Sequence, residues 1–146
     1  MEENSVSRKL VCEVAMSYLG TPFHHQGRFK GVGLDCAGLI VGISQECKLY
    51  KDKVEDIKGY SRIPDGKTLR DVLLKGTKGE KPISELKEGD IILMRFHREP
   101  QHLGLYMPNN QMIHSYEGIG KVVIHDFDEK WKNRVISIFE FHNIEA

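Results

Sequence analysis

Midway along the chain the spacing of apolar residues changes from helical to extended, and this change restricts the fold more than any single motif. Val6, Leu10, Val14 and Tyr18 recur every four residues, and Val11, Ala15 and Leu19 widen the stripe into one face of a helix. Asn4 or Ser5 is placed to cap that helix, and Gly20 followed by Pro22 to end it. Cys36, Ile40, Ile43 and Cys47 form one stripe of a second helix, with Asp35 as its cap. From Leu86 onward the apolar runs shorten and turn residues separate them. Ile91–Met94, His102–Met107, Gln111–Ser115, Val122–Ile124 and Val135–Phe139 read as strands, and Gly89-Asp90 and Pro108-Asn109-Asn110 as turns. Between these halves lies a charged stretch, Lys48 to Lys58, then a turn-rich connection, Tyr60 to Gly66. Thr68-Leu69-Arg70-Asp71 has the form of a capping box ahead of a short helix that Gly76 ends, and Lys75 to Pro82 reads as a polar loop. His97 to Gln101 is a second predicted loop. Nothing marks a domain boundary, so residues 1–146 are expected to form a single domain of helices and strands.

A chain of 146 residues can bury a core without disulfide staples. Its three cysteines are widely spaced and odd in number, which fits neither a disulfide framework nor a CxxC metal knuckle. Lys plus Arg and Asp plus Glu each total 21. A net charge of zero argues against nucleic acid or an anionic membrane as the main partner. Met1-Glu2-Glu3-Asn4-Ser5 is polar and acidic, so no secretory signal is expected, and no apolar run reaches the length of a membrane span.

The chemistry centres on Leu34 to Ile43. Cys36 is expected in the first helical turn, where partial positive charge favours a thiolate and unpaired N–H groups can hold an oxyanion. The competing reading is a buried, inert cysteine. Gly38 and Gly42, one turn apart, cost helix propensity and so imply close packing against another element. The loop Gly20 to Arg28 brings His24, His25 and Arg28 ahead of Cys36, either as a solvated segment or as a wall of a site. A three-residue turn that pairs Met107 with Gln111 also pairs His114 with Gly104 and His102 with Tyr116. It sets His102 and His114 on one face, roughly 7–8 Å apart, whereas a two- or four-residue turn sets them on opposite faces. A zinc site from Cys36, His24, His102 and His114 matches none of the usual spacings, so no metal or other cofactor is expected. His97, His125 and His142 are expected at the surface or a sheet edge, and Trp131 as a cover over the sheet edge.

These residues resemble a known family. Asp35-Cys36-Ala37-Gly38-Leu39-Ile40 is similar to the Asp-Cys-Ser-Gly motif of the NlpC-type cell-wall cysteine peptidases. Gly20-Thr21-Pro22, Leu86 to Ile92, His102 to Tyr106 and Met112 to Ser115 resemble further family segments in the same order and spacing. The resemblance implies a papain-like α+β domain, with helices carrying the cysteine on an antiparallel sheet carrying the histidines. It implies Cys36 as nucleophile, His102 as general base and His114 as the group orienting His102, the roles expected of a thiol, an imidazole and a third polar group. It also implies a peptidoglycan stem peptide as substrate, cut after a D-γ-glutamyl residue and before diaminopimelate or lysine.

Phe23 departs from the family, because many relatives carry Tyr there with its hydroxyl near the oxyanion site. Phenylalanine cannot donate, so Phe23, His24, His25 and Asp35 are the candidates for the substrate and oxyanion side, together with the backbone N–H of Cys36. Ala37 replaces the usual Ser, and the loop between Phe23 and Cys36 is one residue longer. The Gly20–Arg28 loop and Tyr60 to Gly66 look most like phage and prophage tail-associated members. That implies tail proteins as partners, cytoplasmic synthesis and action at the bacterial wall from a virion. Two alternatives share the resemblance: a non-catalytic tail adaptor, and a thiol amidase or acyltransferase.

Overall fold

The computed structural model describes residues 5–51, 68–96 and 99–146, with the side chains of 96 and 99–101 outside the description. The Tyr60 to Gly66 connection, most of Lys48 to Lys58, and His97 lie outside the described residues.

The first helix, α1 (Arg8–Met16), is capped by Ser7, whose side chain accepts from the Leu10 N–H, and not by Asn4 or Ser5 as predicted. The reason is tertiary. Val6 is held extended in a bridge to Ile144, so the helix cannot begin before it. A two-stranded hairpin follows, β1 (Arg28–Phe29) with β2 (Gly33–Leu34), then α2 (Cys36–Cys47) and α3 (Thr68–Gly76). The strands of the second half are β3 (Gly79–Lys81), β4 (Ile91–Phe96), β5 (Glu99–Met107), β6 (Gln111–Tyr116), β7 (Lys121–Asp126) and β8 (Val135–Glu140). A short α4 (Glu129–Lys132) precedes β8. These six strands form one antiparallel sheet in the order β3-β8-β4-β5-β6-β7. The architecture is α+β, as expected.

Two predicted loops are partly strand. Residues 79–81 pair with β8, and their charge, which reads as loop, suits an edge strand. β5 starts at Glu99 rather than after Gln101, because Phe96↔Glu99 and Arg95↔Pro100 extend its ladder with β4 across a register shift that accommodates the proline. The next hairpin has the three-residue turn, with Met107 opposite Gln111 and both Asn109 and Asn110 left-handed at φ 63° and 55°. Its ladder ends at Leu105↔Ile113, so the predicted pairs Gly104–His114 and His102–Tyr116 do not form.

One face of the sheet packs on α1 and α2 through Leu93, Leu103, Leu105, Ile113 and Phe139 against Val11, Ala15, Leu39 and Ile43. The opposite face buries Ile92, Met94, Met112 and Ile138 with Phe127. The two helical glycines are packing requirements. A Cβ on Gly38 would lie 2.3 Å from the Gly27 carbonyl oxygen, and one on Gly42 2.5 Å from the Tyr18 hydroxyl. Away from the helix tip, Arg8, Lys81, Asp90 and Glu140 form a cluster of ion pairs. Asp90 lies 2.9 Å from Arg8 and 2.7 Å from Lys81, and Lys81 lies 3.1 Å from Glu140.

Candidate active site

Asp35 organises the helix tip. It is 3% exposed, and it accepts from the Gly38 N–H at 2.8 Å, the Gln26 N–H at 2.8 Å and Arg28 Nη1 at 3.1 Å. A carboxylate with these bonds is an acceptor that ties the preceding loop to the helix. It supplies no donor to an oxyanion, and its bonds make it a structural junction between loop and helix.

Cys36 follows as the first residue of α2 and is half-buried, whereas Cys12 and Cys47 are buried. Backbone N–H groups of Leu103 and Ala37 point at its sulfur. Leu103 can reach the thiol because the β5–β6 ladder has already ended there, and the helix tip meets the sheet where the two strands part. The thiol is nevertheless pushed up to about 12, first by desolvation and then by the Asp35 carboxylate, against the smaller pull of those N–H groups and Arg28. The expectation of a resting thiolate at the helix N-terminus is therefore corrected. Burial outweighs the helix-end field, and the thiol is protonated until a base removes its proton.

The residue before Leu103 is His102. His102 Nε2 lies 2.5 Å from His114 Nδ1, and both residues are buried. Both imidazoles are held below their ordinary value. Burial is the main cause for each, followed by Arg134 and His125 for His102 and by His102 and His125 for His114. Both are neutral at neutral pH, and a neutral imidazole can accept the thiol proton.

His125 was expected at the surface or an edge. It does sit on the edge strand β7, but its Nε2 is 2.7 Å from His114 Nε2, which makes it a third member of the row. Met112↔His125 and His114↔Val123 place it diagonally beside His114 on one face. The signal was available in the period-2 alternation, given the β6–β7 register. Trp131 packs on this row. It covers the sheet edge through the imidazole of His125 on β7 and also reaches inward, with its ring centroid 4.8 Å from that of His125 and 5.1 Å from that of His114. Tyr116 stacks on His114 at 5.5 Å.

The loop candidates are placed less directly. Phe23 is half-buried and held by its backbone, its N–H donating to the Gly120 carbonyl while it bridges Leu34. His24 is exposed and its Nδ1–H donates to the His25 carbonyl at 3.0 Å; His25 is half-buried beside Gln26. Among the described residues no group of three His, Cys, Asp or Glu side chains has metal-holding geometry. No helix of the described residues is long and apolar enough to cross a membrane.

A sequence model of the NlpC/P60 family matches residues 20–140. The chain is 23% identical over 130 residues to Dipeptidyl-peptidase 6 of Lysinibacillus sphaericus, covering 88% of this chain and 40% of that protein. It is 46% identical over 48 residues to a probable endopeptidase NlpC homolog of Haemophilus influenzae, covering 33% of this chain and 24% of that protein. The chain thus spans less than half the length of either relative. Among solved structures, the peptidoglycan hydrolase RipB of Mycobacterium tuberculosis superposes with a TM-score of 0.65 at 20% identity, over 95% of this chain and 65% of that one. At that identity the likeness describes the fold.

Proposed function

The chain belongs to the NlpC/P60 family, and from that premise we propose that it is a cysteine endopeptidase of peptidoglycan stem peptides, cutting between D-γ-glutamate and diaminopimelate or lysine. One observation carries the reading. The Cys36 sulfur lies at the N–H of Leu103, and the neighbouring residue, His102, is hydrogen-bonded to His114.

The proposed chemistry follows from neutral partners. As the Cys36 sulfur bonds to the scissile carbonyl carbon, its proton passes to His102 Nδ1, and the Nε2–H of the resulting imidazolium keeps its bond to His114. The oxyanion is held by N–H groups at the α2 tip, that of Cys36 first, because Phe23 has no donor to offer. His102 then returns the proton to the leaving amine, and the C–N bond breaks to leave a thioester. Water attacks the thioester with His102 again as base, which releases the carboxylate and restores the thiol.

Digestion of purified sacculi, with fragments identified by mass spectrometry, tests this. New γ-glutamyl carboxyl ends and free diaminopimelate or lysine amines are expected. Intact sacculi would sink the endopeptidase reading and favour the adaptor. Cleavage only of other amides or esters would favour the amidase or acyltransferase. The sequence resemblance of the Gly20–Arg28 loop also supports a place on a phage tail, acting at the bacterial wall. Recovery of the protein with tail proteins in purified particles would support that placement, and recovery only as free protein would refute it.

A further inference from the structure

Proton positions along the histidine row can be worked out from its outer end. His125 Nδ1 lies 3.0 Å from the Asp126 carbonyl oxygen. A carbonyl only accepts, so this nitrogen carries the hydrogen, and where His125 holds a single ring hydrogen its Nε2 carries the lone pair. The 2.7 Å contact then requires His114 Nε2–H to donate to His125. His114 Nδ1 is thereby an acceptor, and the 2.5 Å contact requires His102 Nε2–H to donate to it. His102 is left with Nδ1 unprotonated. The opposite order would set a lone pair against the Asp126 carbonyl and put a hydrogen on His102 Nδ1, where it would block proton transfer from the thiol.

We propose that His125 is a positioning residue for this reaction: by accepting from His114 it selects the tautomer of His114, and through it the tautomer that makes His102 a base. The inference rests on the reading of Cys36 and His102 as nucleophile and base. The surrounding rings hold the row in place. Trp131 lies over His125 at an interplanar angle of 31° and meets His114 edge-on at 83°, while Tyr116 stacks on His114 at 9° and meets Trp131 edge-on. Arg134 caps Trp131 at 5.2 Å. This is a covered assembly in which each imidazole nitrogen of His114 has an imidazole partner.

Two variants separate the proposal from a packing role. His125→Phe keeps a ring under Trp131 but removes both nitrogens. His125→Gln restores an acceptor toward His114 and a donor toward Asp126. Long-range proton–nitrogen NMR on the full chain, without substrate, is expected to show Nδ1–H on His125 and Nε2–H on His114 and His102. His125→Phe should mix the His114 tautomers and lower kcat about 10–100-fold, a typical cost for losing an outer partner of a histidine, with KM little changed. His125→Gln should recover most of kcat. A wild-type His102 protonated at Nδ1, or an unchanged His114 tautomer and kcat in His125→Phe, would overturn the proposal. Should His125→Phe fail to fold, the wild-type and His125→Gln spectra still decide it. Should the wild type not cleave peptidoglycan, the substrate assignment fails while the tautomers remain readable.

Discussion

The sheet carries two buried polar assemblies of opposite character. In the row His102–His114–His125 each link is a hydrogen bond between imidazoles. The cluster Arg8–Asp90–Lys81–Glu140 is fully charged, two cations against two anions. Burial acts differently on each. In the row it holds the His102 and His114 imidazoles neutral. In the cluster, burial by itself would raise the Glu140 carboxyl, but Lys81, Lys78 and Arg8 outweigh it and hold the group charged. Desolvation leaves His102 and His114 able to accept a proton; compensated charge makes the other assembly a staple that joins α1, β3, the entry to β4, and β8.

The comparison breaks most sharply at Cys36. Cys36→Ala is expected to abolish turnover of sacculi with an unchanged melting temperature, because it removes the atom the row serves and nothing that holds the fold. Retained activity would end the thiol mechanism. Next comes His102→Ala, with a loss of about 10²–10⁴ in kcat for removal of a general base. His114→Ala should be milder, since water can partly replace an orienting acceptor; steady-state kinetics on wall peptides measure both.

Asp90→Ala tests the other assembly. It leaves buried Arg8 and half-buried Lys81 with Glu140 in place of two anions, and a loss of about 3–5 kcal/mol in denaturant unfolding is expected. The folded fraction should keep its kcat. A drop in kcat with unchanged stability would reverse the roles assigned to the two assemblies.

The smallest effect separates them by pH. The folded imidazoles sit below the ordinary 6.5, so below 6.5 the unfolded chain binds protons that the folded chain refuses, and stability falls as the pH drops. Glu140 is held below its ordinary 4.5, so its contribution is complete above 4.5 and is lost only at more acid pH. Melting temperature against pH should therefore fall in two stages, and a His102→Asn/His114→Asn variant should lose the upper one. A single fall confined below 4.5 in the wild type would contradict the neutral row.

How much of this was legible depended on distance along the chain. The cap at Asp35, the close packing at Gly38 and Gly42 and the three-residue turn at Pro108 are local, and all three are present in the structure. That turn sets β5 against β6, but the contact of His102 with His114 lies beyond the pairs it fixes. His125 needed a second register, across the turn that joins β6 to β7, and so read as an edge residue. The ion cluster spans 82 residues from Arg8 to Asp90 and 59 from Lys81 to Glu140. Nothing local distinguishes its members from solvated charges. β3 was hidden for a related reason, since an edge strand of Gly79, Glu80 and Lys81 carries the composition of a loop. Resting protonation of Cys36 was the least readable feature. The helix-end field is visible in sequence, but the burial that outweighs it is a property of the assembled site.

Asp35 has a thermodynamic consequence beyond its hydrogen bonds. Its carboxylate closes the stretch from Gln26 to Asp35 into a ring fastened to the first turn of α2. Closing a loop of this length removes chain entropy worth on the order of 2 kcal/mol. Folding bears that loss once, before any peptide arrives. A ligand that meets the 26–28 segment therefore finds a wall whose backbone is already ordered, and its affinity is not reduced by freezing it.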